Sequence, residues 1–302
     1  MSRLAKALVS IFGLGGVLAA LVVAVPTVAA SASGAVTTQT CSGTLTAPGV
    51  LTGTYPGNVI VKGVCAVNAG PAVVRGNLAI APGGALLAIF ARNDKTHKGF
   101  SSLTVKKNVT VGKGAALALG CEPNFFTCAD DKGKTPTLQS RGTIGGTLAA
   151  AKPLGLLVHN SSIAGSVTER GGGGGLSCTP KGIFKLFQSP VYSDYEDNVI
   201  GGSISVSGMT SCWLGLLRND VHGNVTVSTN KMADPDANEV LHNYVNRSLT
   251  CQANVPAVQY GDSGSSPNVV SRHATGQCSF SRRVPNPAPH GPLTPISVPV
   301  TG

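Results

Sequence analysis

Charged side chains are scarce in this sequence. Only 12% of the 302 residues are Asp, Glu, Lys or Arg, about half of the ~25% found in average soluble domains. This scarcity excludes a coiled coil, whose heptads carry charged flanking positions. Aromatic residues are also few, at 5%, and they do not interleave with basic residues as they do in proteins that bind single-stranded nucleic acids. We therefore expect no nucleic-acid partner.

Glycine, by contrast, is abundant. The chain has 39 glycines and 19 prolines, and each glycine in a helix interior costs ~1 kcal/mol relative to alanine. This composition argues against a helical enzyme, and a hydrophobic content of 42% excludes intrinsic disorder. A β-rich or repeat architecture remains.

The N-terminus has the organisation of a secretory signal peptide. Two basic residues precede an apolar run at 7–25, and small residues follow, with cleavage sites at 28–30 or 30–32. We predict a signal peptide over residues 1–30, and after its removal no stable membrane span. An uncleaved anchor is the alternative, because the run approaches the ~20 residues that cross a bilayer.

Cysteines are confined to the chain beyond the predicted cleavage site. An even number in an exported chain indicates four disulfides, and we favour pairing of sequence neighbours among the 105 connectivities that eight cysteines allow. No Cys-x-x-Cys pair is present, so we expect no zinc site and no cofactor. The predicted disulfide cysteines are Cys41, Cys65, Cys121, Cys128, Cys178, Cys212, Cys251 and Cys278.

A short phrase recurs along the chain, in which a small or polar residue precedes alternating aliphatic positions. Each copy has the period of two that is typical of a short strand with one buried face. Copies are 19 residues apart at 58 and 77 and 21 apart at 203 and 224, while longer gaps contain insertions at 92–99, 122–141 and 170–197. The copies are Gly57–Val61, Gly76–Ile80, Lys107–Val111, Gly146–Ala150, Gly165–Thr168, Gly202–Val206, Gly223–Val227 and Arg247–Cys251.

Two further phrases fall between these copies. One is aliphatic, at Gly84–Ala88, Gly114–Leu119, Gly155–Val158 and Trp213–Leu217, and the other begins with asparagine, at Asn198, Asn238 and Asn268.

Two or three short strands per period, linked by Gly and Asn turns, predict a right-handed parallel β-helix of roughly 20-residue coils with loop insertions. We place it at 57–280, with an N-terminal cap at 31–56 and a Pro-rich flexible tail at 281–302. The alternative, an antiparallel β-sandwich, does not explain why one phrase returns every ~20 residues.

The closing stretch adds a resemblance. The segments 243–256, 261–270 and 276–278 resemble the C-terminal part of uncharacterised secreted parallel β-helix proteins of high-GC Gram-positive bacteria. The resemblance implies a β-helix and an exported location, and it implies no activity.

Three acidic clusters are candidates for chemistry. They are Asp194 with Glu196 and Asp197, Asp130 with Asp131, and Asp234 and Asp236 with Glu239. Converging carboxylates bind calcium or act as the acid and base of a glycosidase. Because these residues fall mostly within insertions and out of register, we interpret them as solvated loop charges.

Three other groups complete the candidates. His222 and His242 are 20 residues apart, about one coil, and with Asp220 nearby could form a metal or general-base site. We interpret them as exterior histidines.

The segment Gly261–Gly264 matches the nucleophile segment of trypsin-like serine proteases. No histidine lies in a sequence context that matches that family, so a turn is the favoured interpretation. The aromatic residues that could form a sugar platform are Tyr192, Tyr195, Trp213 and Tyr244.

Net charge points to a class of partner. The chain carries +10, and basic residues such as Lys106, Lys107 and Lys113 are concentrated between Arg92 and Lys152. Such a patch favours an anionic cell-wall polymer or an extracellular glycan. We expect an exported, non-enzymatic β-helix with no catalytic residues that acts as a structural, adhesive or envelope-associated surface. Its expected location is extracellular, either secreted or associated with the cell wall. The alternative is a carbohydrate-active β-helix enzyme, a polysaccharide lyase or hydrolase.

Overall fold

A computed structural model describes residues 37–121, 139–260 and 266–283. The predicted signal peptide, most of the predicted tail, Cys128, the Asp130–Asp131 pair and the segment Gly261–Gly264 lie outside these ranges. Among the described residues, no helix combines the length and the apolar character that crossing a bilayer requires.

The chain is a parallel β-helix. Its strands stack in parallel register on three faces, here called faces A, B and C, and β4 runs through both A and B.

Face A consists of β1 (Thr38–Gly43), β4 (Asn58–Ala66), β6 (Leu78–Ile80), β9 (Val109–Val111), β12 (Leu148–Ala151), β15 (Val167–Arg170), β18 (Ile204–Ser207), β22 (Val225–Ser228), β26 (Leu249–Gln252) and β28 (Ala274–Gly276). Face B consists of β2 (Gly49–Val50), the end of β4, β7 (Ala85–Ala88), β10 (Ala116–Leu119), β13 (Gly155–His159), β16 (Tyr192–Glu196), β20 (Trp213–Leu217) and β24 (Glu239–Leu241). Face C consists of β3 (Gly53–Tyr55), β5 (Ala72–Val74), β8 (Leu103–Val105), β11 (Gly142–Ile144), β14 (Ser162–Ile163), β17 (Val199–Ile200), β21 (Asp220–Val221), β25 (Tyr244–Val245), β27 (Val269–Val270) and β29 (Arg282–Arg283). Between faces A and B, β19 (Thr210–Ser211) pairs with β23 (Lys231–Met232), and the helix α1 is Phe184–Phe187.

The predicted repeat is confirmed strand by strand. Every copy of the first phrase contributes a face A strand, from β4 to β26, and the four aliphatic phrases contribute β7, β10, β13 and β20. Equivalent positions stack from coil to coil, as in the row Leu78, Val109, Leu148 and Val167, whose members are all 0–1% exposed. Each aliphatic position is therefore buried by its neighbours in the coils above and below.

Asparagines form a ladder at the corner between faces B and C. Asn198, Asn219, Asn243 and Asn268 are 0–1% exposed, and each donates its amide Nδ2 to the Oδ1 of the next, at 2.8–2.9 Å. The residue before each of the first three has a left-handed backbone, with φ between 52° and 55°. The side-chain amides thus satisfy backbone groups that the tight corner leaves without ladder partners.

The third phrase was assigned wrongly at one copy. Asn198 and Asn268 precede the face C strands β17 and β27, but Asn238 precedes β24 of face B. The equivalent residue on face C is Asn243, which leads into β25. The local pattern of an asparagine followed by aliphatic residues does not distinguish these two corners.

The long insertion also differs from its prediction. It ends before Tyr192, because β16 at its predicted C-terminal end is a face B strand. The run Gly171–Gly175 is bonded into the fold, with Gly173 N–H donating to the Pro153 carbonyl and Gly175 N–H to the Thr210 carbonyl, both at 2.9 Å. Its five positive φ angles suit glycine because other residues adopt them at a cost. The helix α1 then packs Phe184 into an apolar cluster on the outer side of face B.

Three disulfides join sequence neighbours, as predicted: Cys41–Cys65, Cys178–Cys212 and Cys251–Cys278. Cys121 is also disulfide-bonded. Such bonds indicate folding in an oxidising compartment.

We expect removal of the Cys251–Cys278 bond to destabilise the C-terminal coils. It closes a separation of 27 residues, so Cys251→Ala with Cys278→Ala should lower the free energy of unfolding by about 3 to 4 kcal/mol, chiefly because the unfolded chain gains entropy. Urea unfolding without reductant measures this difference. A change below about 1 kcal/mol would contradict the expectation that this disulfide stabilises the fold by restricting the unfolded chain.

Candidate functional site

Charged side chains converge on the outer side of face B. Parallel register places Glu196 beside His159 on the preceding coil, and it places Asp194 and Glu239 in one row with Gly215 between them. Strand side chains alternate between faces, so Asp194 and Glu196 of β16 lie on the outer side while Tyr195 enters the interior.

His159 lies between two carboxylates. Its Nε2 is 3.5 Å from Asp194 Oδ2, and its Nδ1 is 3.4 Å from Glu196 Oε2. All three residues are 2–5% exposed. Burial lowers the pKa of His159 to about 4, and burial followed by the nearby charge of Glu196 raises the pKa of Asp194. The cluster therefore contains a neutral imidazole and a carboxyl group that resists ionisation.

Arg218 holds the other side of Glu196. Its Nη2 contacts Glu196 Oε1 and Asp197 Oδ2, the latter at 2.8 Å, and its Nε donates to Asp197 Oδ1 at 2.9 Å. Arg218 and Asp197 both occupy left-handed corner positions, which places their side chains in adjacent coils within reach of each other. The guanidinium thus fixes the orientation of both carboxylates.

Aromatic residues adjoin the cluster. The indole Nε1 of Trp213 donates to Glu239 Oε1 at 3.0 Å, and its ring lies edge-on to Tyr192, which in turn contacts Phe184. Tyr195 lies in the interior, and Tyr244 lies beside the half-buried His242. The four predicted aromatics therefore do not form one platform.

A second polar group lies inside the solenoid. Glu169 of β15 is fully buried and accepts hydrogen bonds from Tyr195 Oη at 2.7 Å and Ser193 Oγ at 2.9 Å. Burial raises its pKa to about 7 even though both hydrogen bonds favour the ionised form. The residues directly above and below Glu169 in its row, Ala150 and Val206, are both apolar.

The interpretation of the acidic residues as solvated loop charges is wrong for Asp194, Glu196 and Glu239. They occupy face B strands in register and are 5% exposed. Asp234 and Asp236 do lie in a turn, where Asp236 N–H donates to Asp234 Oδ1.

The histidine pair is not stacked. His222 is equivalent to Asn246, one residue beyond the paired Val221 and Val245, and it lies exposed 3.9 Å from Asp220. His242 is equivalent to Arg218 at the corner after face B. The insertion between His222 and His242 changed the register that their spacing suggested.

Sequence reasoning missed His159, Arg218 and Glu169 as site residues. His159 and Glu196 are 37 residues apart, and only the exact extent of the intervening insertion shows that they are neighbours. Glu169 occupies a row that is otherwise uncharged, so a charge at an inward position of the first phrase was the available signal.

No protein-family model, curated protein or solved structure matches this chain. The resemblance to secreted β-helix proteins of high-GC Gram-positive bacteria therefore stays a prediction.

Proposed function

We propose that this protein is an exported, non-enzymatic β-helix that acts as an adhesive surface at the cell envelope and binds an anionic wall polymer or extracellular glycan through face A. The single observation that carries this proposal is a file of outward positions on face A in which six of seven successive coils carry a hydroxyl group. The file runs through Thr110, Ala149, Thr168, Ser205, Thr226, Thr250 and Thr275.

A second file of polar side chains runs beside it at the start of the face A strands. Its oxygens accept backbone N–H groups from the next coil: Asn58 from Asn77, Asn77 from Asn108, and Asn108 from Thr147. Neighbouring strands are ~4.8 Å apart. Face A therefore offers hydrogen-bonding groups at a constant interval, which suits a chain ligand with its own repeat.

Basic residues border this face on both edges. Lys106 and Lys107 lie exposed at the corner that leads into β9, and Lys113 and Lys152 lie in adjacent coils at the corner beyond β9 and β12. The predicted basic patch is thus divided into two rims with uncharged hydroxyl and amide groups between them. Such an arrangement favours a polymer that carries both hydroxyl and anionic groups.

Charge reversal tests the proposal. We expect Lys106→Glu, Lys107→Glu and Lys113→Glu together to lower binding of the full chain to purified anionic wall polymer at least tenfold. The matched control reverses the exposed Lys95, Lys98 and Lys185, which lie in the 92–99 loop and in α1. Sedimentation with the polymer at physiological ionic strength measures both. Absence of binding by the unaltered protein, or equal loss in the control, would contradict a role for face A.

The carboxylate cluster favours the alternative, a carbohydrate-active enzyme. An oxygen of Asp194 and an oxygen of Glu196 however lie within 4.8 Å of each other, whereas glycosidases separate their two carboxyl groups by at least ~5 Å. Release of reducing or unsaturated sugar from acidic polysaccharides, abolished by Asp194→Asn with Asp197→Asn, would support this alternative in place of the adhesive role.

A further inference from the structure

We propose that His159, Asp194 and Glu196 form a structural binding site for a divalent transition metal of the Zn²⁺ type on the outer side of face B. One nitrogen of His159 and one oxygen from each carboxylate lie within 4.8 Å of one another. This inference is independent of the proposed binding of polymer by face A, which uses other residues.

The distances within this triad are those between ligands of a metal. The two N···O separations are 3.5 and 3.4 Å, longer than the 2.7–3.2 Å of an ordinary hydrogen bond. Two ligands placed ~2.0–2.2 Å from a tetrahedral zinc ion lie about 3.3 to 3.6 Å apart. Because the two separations involve different ring nitrogens, one of them matches a nitrogen and an oxygen bound to the same ion, and the ligand oxygen of the other carboxylate lies within 4.8 Å of both atoms.

Proton count supports the same conclusion. A neutral imidazole carries one N–H, but carboxylate oxygens face both ring nitrogens of His159. The unprotonated nitrogen of a neutral imidazole is a metal ligand, and a carboxyl group that keeps its proton releases it when its oxygen binds a metal.

Asp194 provides an independent indication. Its carboxylate is 5% exposed, and within the described part of the chain its Oδ1 has no hydrogen-bond partner. Space beside this oxygen depends on Gly215, since a Cβ there would lie 2.5 Å from Oδ1 and 2.2 Å from the Trp213 ring. A buried carboxylate oxygen without a partner costs free energy. Oδ1 belongs to the same carboxylate whose Oδ2 faces His159 Nε2, so a cation bound to this carboxylate would offset part of that cost.

The surrounding residues fit a nitrogen- and oxygen-ligated ion. Arg218 contacts Oε1 of Glu196 and leaves Oε2 facing His159; ligating carboxylates are commonly oriented by such hydrogen bonds. The histidine favours a transition metal over Mg²⁺ or Ca²⁺, which prefer oxygen ligands. All described cysteines are in disulfides, so thiolates do not compete for the ion.

Because the site is buried, metal is best loaded during refolding. The full chain, with its disulfides intact, is unfolded in guanidinium with EDTA and refolded with ZnCl₂ or CoCl₂. We expect one zinc per chain by elemental analysis after gel filtration, a higher melting temperature than after refolding with EDTA, and visible absorption typical of tetrahedral cobalt. His159→Gln and Asp194→Asn should each abolish stoichiometric binding.

The matched control is Asp220→Asn with His222→Gln, which alters the exposed His–Asp pair at 3.9 Å and should retain one zinc per chain. A wild-type protein that contains no zinc after refolding with ZnCl₂ would overturn the proposal, as would retention of zinc by both His159→Gln and Asp194→Asn. If those variants do not refold, the wild-type stoichiometry and the cobalt spectrum decide. Loss of polymer binding with zinc retained would contradict only the proposed function.

Discussion

Replacement of Asn219 by alanine is expected to lower the free energy of unfolding by about 4 kcal/mol. Its Nδ2 donates to the Tyr195 carbonyl at 2.7 Å and to Asn243 Oδ1 at 2.9 Å, and its Oδ1 accepts the backbone and side-chain N–H groups of Asn198. Alanine leaves these partners buried and unbonded, and each such group costs about 1–3 kcal/mol.

Asn224→Ala is the matched control for this prediction. Asn224 belongs to the exposed polar file, and its Oδ1 accepts one backbone N–H, from Ser248 at 3.1 Å. Water can replace that bond, so the expected loss is at most about 1 kcal/mol. Urea unfolding of both variants, with the disulfides intact, gives the comparison. Equal losses would show that the buried ladder contributes no more than the exposed one.

Glu169→Gln is expected to remove a pH dependence of stability of about 3 kcal/mol. The pKa of Glu169 is about 7 in the folded protein and 4.5 as a model value. Between these values the unfolded chain releases the proton while the folded chain keeps it, so stability is full below about pH 4.5, falls as pH rises to about 7, and is constant above that.

The variant should match the wild type near pH 4 and exceed it at pH 8. The facing titratable group is Tyr195, which also loses its charged partner in the variant. Denaturant unfolding from pH 4 to 8 measures the difference, with Asp236→Asn, an exposed change in a turn, as the control. If the curves of Glu169→Gln and wild type stay parallel across this range, Glu169 is not the group responsible.

The architecture could be predicted because β-helix rows repeat in sequence. Leu78, Val109 and Leu148 occupy the same place in the first phrase, and their spacing revealed the coil despite insertions. The local sequence did not show which face follows each asparagine, because Asn238 and Asn243 both begin a strand but lead into different faces. The bonded state of the glycine run at 171–175 could not be predicted, because its hydrogen bonds to Pro153 and Thr210 depend on the coils on either side.

The buried cluster could not be predicted for a different reason. Asp194, Glu196 and His159 come together only through exact register between β13 and β16, and residues 160–191 intervene. An error of one residue in the length of that insertion transfers every side chain of β16 to the opposite side of the sheet. The low charge content was also misleading. It suggested that the few charged residues are solvated and separate, whereas several of them are clustered and buried.

The coil spanning residues 204–224 contains β18, β20 and β21, and it contributes Ser205 to the outward file of face A and Asn219 to the buried ladder. Its contacts are chiefly with the coils directly before and after it. Duplication of this segment in a gene would therefore lengthen the molecule by ~4.8 Å while continuing each row unchanged. Mutation can therefore lengthen or shorten the binding surface by whole coils. An insertion such as 171–191 lengthens the chain without changing the number of coils.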